Sequence, residues 1–225
     1  MKIKEIILCT NFLDKLKNFY NEILGLEVIT NKENFITVKT QFTNIVFRYD
    51  PEIKNPFYHF AFNIPENQFK AAKEWGLQRV DLIKEKSKDE FDFTSWNAHS
   101  IYFYDPAGNI IELIARHNLN NSSKKEFCGK SLLNVSEIGL PVFNVKKFYD
   151  SLNKNFNIPN FSGDMKTFTA AGDDDGLFII VPEGRKWFPD CPEAKIFPTI
   201  IKIISYEESE IESEKLPYKI ISTRN

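Results

Sequence analysis

The chain is poor in the residues that small secreted folds rely on. It has three cysteines, Cys9, Cys128 and Cys191. They are scattered and odd in number, so they make neither a disulfide framework nor a zinc knuckle, and they predict a reducing, cytoplasmic setting. No apolar run reaches the length that spans a bilayer, which predicts no membrane partner. The first ten residues, MKIKEIILCT, are too short and lack the cleavage-like site of a secretory signal. Charge of one sign is also missing. The formal net charge of −2 argues against bulk binding to nucleic acid or anionic membranes. There is no phosphate loop, no Gly-x-Ser-x-Gly elbow and no Cys/His pair at nucleophile spacing. Gly172-Asp173-Asp174-Asp175-Gly176 lacks the spacing of a calcium loop and reads as a hairpin turn.

What is present is a globular composition, 42% hydrophobic and 27% charged, with 21 phenylalanines among 225 residues. That is long enough for a sizeable core and points to aromatic-rich packing or pockets. The stretch His99 to Arg116 reads as strand, turn, strand around Asp105-Pro106-Ala107-Gly108-Asn109. At period 2, Ile110, Glu112 and Ile114 share a face, and a carboxylate between isoleucines is costly to bury unless something pairs with it.

In order, the chain reads as a repeated unit. Residues 3–10 predict a strand, 12–24 a helix closed by Gly25, and 27–30, 35–39 and 44–49 three more strands. Residues 57–64, 66–75, 78–83, 100–104 and 109–115 give the same βαβββ order again. Glu137-Ile138-Gly139-Leu140-Pro141-Val142, followed by Val145 to Tyr149, echoes Glu5 to Thr10 and Leu16 to Tyr20. Pro198-Thr199-Ile200 stands where Phe57-Tyr58-His59 stood. Residues 207–221 leave room for only a short helix and one strand. The expected architecture is α+β: tandem βαβββ modules forming open, curled mixed sheets with helices outside, the last module truncated. The expected division is a complete two-module domain over 1–118, a linker over 119–129 and a degenerate second domain over 130–225.

Three polar residues sit on apolar strand faces at matching module positions: Glu5, His59 and Glu112. If the first two modules pack side by side, these converge. One His with two carboxylates suits a divalent ion such as Fe, Mn, Ni, Zn or Co, with positions left for substrate. Glu5 either ligates or serves as general base. Glu137 is a fourth such carboxylate, but Ile200 stands in the place of a histidine partner, which predicts that the C-terminal half does not hold metal in the same way. Phe47 occupies the module-one position of Glu112 and, with Trp96, His99 and Tyr102, is a pocket candidate.

The run Phe19-Tyr20-x-x-x-Leu24-Gly25-Leu26, together with Tyr102-x-x-Asp105-Pro106-x-Gly108-Asn109-x-x-Glu112, resembles the vicinal oxygen chelate superfamily. That superfamily includes glyoxalase I, bleomycin-resistance proteins and extradiol dioxygenases. The resemblance implies a metal-dependent enzyme, ring-cleaving or glyoxalase-like, that chelates a small oxygen-rich substrate through two oxygens. It carries ligand roles onto His59, Glu112 and Glu5, the last standing where His or Gln is usual. The alternative it implies is a metal-free protein that sequesters a small molecule in an aromatic cleft. The layout also fits a homodimer.

Overall fold

The computed structural model describes residues 1–205, 208–213 and 215–224. The first module runs β1 (Lys2–Thr10), α1 (Leu13–Asn18), a π-helical turn (Phe19–Ile23), β2 (Glu27–Lys32), β3 (Phe35–Lys39) and β4 (Asn44–Tyr49). Gly25 ends the helix with φ +68°, the left-handed conformation that a residue without Cβ adopts freely. The second module has β5 (His59–Ile64), α2 (Phe69–Leu77), β6 (Phe91–Phe93), β7 (Ala98–Tyr104) and β8 (Ile110–Arg116). The third has β9 (Asn134–Val142), α3 (Val145–Phe156), β10 (Asn160–Gly163), β11 (Thr169–Asp173) and β12 (Gly176–Pro182). A short fourth adds β13 (Thr199–Ile204), β14 (Ser209–Glu212) and β15 (Tyr218–Thr223). No helix among the described residues is long and apolar enough to cross a membrane.

These strands make two curled mixed sheets, in the orders β14-β15-β13-β1-β4-β3-β2 and β10-β11-β12-β9-β5-β8-β7-β6. The α+β architecture of repeated modules is as the sequence predicts. The pairing is not. The first module joins the fourth through antiparallel β1 and β13, and the second joins the third through antiparallel β5 and β9. Both sheets are therefore assembled from strands on either side of residues 119–129. Two local expectations also change. Residues 78–83 form no strand beyond a single bridge, Leu82 to Phe103, and the extra strand of that module is β6 instead. The described part of 208–221 holds strands and no helix, while Glu207 lies outside the described residues.

The Asp105–Asn109 turn fixes the second module in place. Asp105 accepts hydrogen bonds from the backbone N–H groups of Ala107 (2.9 Å) and Asn109 (3.0 Å), and from the Tyr20 hydroxyl (2.8 Å) of the first module. Asn109 Oδ1 accepts from the backbone of Tyr58 (2.8 Å). The turn thus holds the start of β8 beside the start of β5, where His59 stands. Alternation then sorts the faces. Phe60, Phe62, Ile111, Leu113, Ile138 and Leu140 enter the main apolar core. His59, Ala61, Glu112, Glu137 and Gly139 fall on the other face.

Candidate metal site in an aromatic cleft

Register brings three ionisable residues together. Ala61 pairs with Glu112 on the parallel neighbour β8, and with Glu137 on the antiparallel neighbour β9. Two residues before Ala61 on β5, and so on the same face, His59 lies between the two carboxylates. Its Nε2 is 3.7 Å from Glu112 Oε2 and 3.9 Å from Glu137 Oε2. One donor atom from each of the three lies within 4.8 Å of the others, and all three residues are buried. They line a cleft of about 300 Å³, near the lower end of small-ligand sites. Its walls include Phe93, Trp96, Phe168, Trp187 and Phe188.

His59 Nδ1 lies 3.2 Å from the Ile110 carbonyl. A proton on Nδ1 satisfies that contact and leaves the Nε2 lone pair facing the carboxylates, the tautomer a metal ligand needs. Burial pushes His59 down to about 4, so its ring is neutral at pH 7. Burial, reinforced by Glu137, pushes Glu112 well above the usual carboxylate range. Burial raises Glu137 too, but Arg116 opposes the rise by ion-pairing with it and donating from Nη2 to Oε1. Arg116 has no exposed surface, lies 5.4 Å from the Trp96 ring and is 3.5 Å from Asp174. Tyr102 stands opposite Glu112 on β7, and burial near both carboxylates holds its phenol protonated. Trp187 packs 5.1 Å from the His59 ring. Gly139 makes that approach feasible, since a Cβ there would lie 2.6 Å from the indole.

Of the residues singled out from sequence, His59, Glu112, Trp96 and Tyr102 meet in this cleft. Glu5, Phe47 and His99 do not. Glu5 belongs to the other sheet, opposite Lys202 on β13, whose Nζ is 2.7 Å away. A register shift between Ile3 and Glu5 also breaks the apolar stripe expected there. Phe47 is fully buried on the core side, stacked on Tyr20 at 5.2 Å. His99 faces away from Tyr102 by strand parity and contacts His117 (2.9 Å) and Phe69.

Glu137 replaces Glu5 in the trio because its module pairs with the second. The register shows the symmetry: His59 pairs with Ile110 as Glu137 pairs with Leu177, and two residues on, Glu112 answers to Ile179. Three of the four related positions carry donors. In the other sheet the same four positions are Glu5, Val46, Ile200 and Ile221, and no such group forms there among the described residues. Arg116 was within reach of sequence reasoning, since at period 2 it shares the face of Glu112. The loop carrying Arg185, Trp187 and Phe188 gave no periodic signal.

No family model and no curated protein sequence matches the chain. Solved structures do. Over 99% of its length, and 85% of the other chain, it superposes on a Bacillus subtilis protein named "putative dioxygenase" with a TM-score of 0.67 at 12% identity. Glyoxalase I from Zea mays matches 99% of the chain over 92% of its own, with a TM-score of 0.58 at 11% identity. A V278E mutant of that glyoxalase I covers 89% of the chain at a TM-score of 0.57 and 15% identity. At such identities the likeness is one of fold, and it agrees with the resemblance read from sequence: this chain shares the fold of glyoxalase I and of that Bacillus subtilis protein.

Proposed function

We propose that this protein is a divalent-metal-dependent enzyme of glyoxalase or dioxygenase type, acting on a small oxygen-rich molecule held in the cleft. The observation that carries the reading is the convergence of His59, Glu112 and Glu137. The donor set fits such an ion. Bonds of about 2.0–2.2 Å to imidazole and carboxylate place ligand atoms roughly 3–3.5 Å apart, and the two distances from His59, 3.7 and 3.9 Å, need only small side-chain movements. Ile179 offers no donor at the fourth related position, so the trio leaves room for a ligand.

A bound ion would act there as a Lewis acid toward vicinal oxygens. The chain's own residues do the rest. The Ile110 carbonyl fixes the His59 tautomer, and Arg116 holds one oxygen of Glu137 so that the other faces the site. Glu112, whose neutral form is favoured by burial and by Glu137, is the group that would give up a proton as a cation is taken in. The aromatic walls exclude water from the ligand's apolar part.

One observation favours a metal-free ligand-binding protein instead. Arg116 already pairs with Glu137, and burial together with Glu137 favours the uncharged form of Glu112. Elemental mass spectrometry of protein purified without chelators separates the two, followed by turnover assays on a panel of α-hydroxycarbonyl and catechol compounds. The enzyme reading expects near-stoichiometric metal and a turnover that chelation removes and reloading restores. No metal, even after soaking in divalent ions, overturns it and leaves a binding pocket.

A further inference from the structure

One cation lines the cleft without an acidic partner. Arg185 is half-buried and lies 5.5 Å from the Phe168 ring. Among the described residues it forms no ion pair. Asp164 is near enough to act on it electrostatically, yet both Asp164 oxygens are committed to their own turn. Oδ1 accepts from the backbones of Lys166 (2.8 Å) and Thr167 (2.7 Å), and Oδ2 from the Thr167 hydroxyl (2.7 Å).

The backbone that carries Arg185 is pinned on both sides. Ala194 N–H donates to the Arg185 carbonyl (2.8 Å), Gly184 N–H to Ala194 (2.8 Å) and Cys191 N–H to Trp187 (2.8 Å). The guanidinium is therefore presented from a held loop, the same one that brings Trp187 and Phe188 to the cleft. Charge bookkeeping leaves it unanswered. With a divalent ion present, Glu112, Glu137 and Asp174 would offset the ion and Arg116, which pairs with Glu137 and lies near Asp174, and Arg185 remains as one positive charge in an aromatic cleft.

We propose that Arg185 is a specificity-determining residue that selects a carboxylate-bearing ligand, a single-ring aromatic monoanion whose ring packs among Trp96, Phe168 and Phe188. A planar guanidinium meets a carboxylate through two parallel hydrogen bonds, a geometry that a neutral amide does not satisfy. The proposal rests on the reading of this cleft as the ligand site and names the class of ligand it takes.

The test uses benzoate and its neutral isostere benzamide as probes. Binding is followed by the fluorescence of Trp96 and Trp187 and by calorimetry, on metal-loaded and chelator-treated protein. Wild type is expected to prefer benzoate by about 10- to 100-fold, the worth of a charge-assisted pair. Arg185→Gln should abolish the preference by weakening benzoate alone, Arg185→Lys should keep part of it, and metal content should be equal in all three. Equal binding of the two probes to wild type, no binding of either, or a preference that survives Arg185→Gln overturns the proposal. So does a wild-type preference that chelation removes, since the ion would then be holding the anion. An Arg185-dependent preference in a protein that takes up no metal would instead sink the metal-enzyme reading and leave this one standing.

Discussion

Glu112→Gln and Glu137→Gln are the same chemical change about 4 Å from the same histidine, yet they should cost very different amounts in metal-free protein. The two carboxylates are 3.7 and 3.9 Å from His59 Nε2 and equally buried, so burial alone does not separate them. Their partners do. Burial and Glu137 push the Glu112 carboxyl well up and so favour its neutral form, and an amide of nearly the same shape replaces a neutral acid for below about 1 kcal/mol. Glu137 is ion-paired with Arg116, which has no exposed surface. Removing that carboxylate leaves a guanidinium in the interior with Asp174 at 3.5 Å as its remaining counter-charge. Breaking a buried pair from one side costs about 3–5 kcal/mol, which in a chain of this length lowers the melting temperature by roughly 6–20 °C. Urea and thermal denaturation at pH 7 in excess chelator read both variants directly. Equal losses, or a larger loss in Glu112→Gln, would refute the assignment of charge in the site.

Three further outcomes follow from the same geometry. His59 is neutral in the fold down to about 4, whereas in the unfolded chain it titrates near 6.5. The unfolded chain therefore binds the extra proton between those values. Stability from this residue is intact above pH 6.5 and falls as pH drops toward 4, by roughly 3 kcal/mol in full. The difference between wild type and His59→Gln in chelator, followed by urea denaturation from pH 7 to 4, should show that slope, and parallel curves would contradict it. Adding a divalent ion to metal-free protein at pH 7 should release protons from Glu112, whose acid form burial favours, seen as a binding heat that scales with buffer ionisation enthalpy. Gly139→Ala places a methyl 2.6 Å from Trp187. Overpacking of about 1–3 kcal/mol should destabilise the protein and alter tryptophan emission, and an unchanged spectrum would argue against the Trp187–His59 packing.

Much of the fold was legible because the period-2 and helical patterns repeat along the chain, and a repeat is a stronger signal than any one element. His59 and Glu112 were legible because a polar residue on an apolar strand face needs a partner, whatever the partner is. The identity of the third donor was not, because it depends on which modules pair. Local patterning fixes each module but is silent on the order β1-β13 and β5-β9, which arises from long-range packing. Glu5 and Glu137 look alike in sequence, and only sheet partnership separates a partly exposed pair with Lys202 in the other sheet from a place beside His59. Phe47 went astray through register: aligning Asn44 to Phe47 with Asn109 to Glu112 is off by one residue, and one residue turns a strand side chain to the opposite face. The strand expected over 78–83 failed because its apolar residues, Val80 and Leu82, pack on the core without a continuous ladder.

The most direct test of the site is a cobalt titration of chelator-treated wild type, Glu112→Gln and Glu5→Gln, followed by visible absorption with elemental analysis of the dialysed samples. One tightly held ion per chain is expected in wild type, the same in Glu5→Gln, and none in Glu112→Gln. No uptake by wild type, or loss of the ion in Glu5→Gln with retention in Glu112→Gln, would contradict a metal centre built from His59, Glu112 and Glu137.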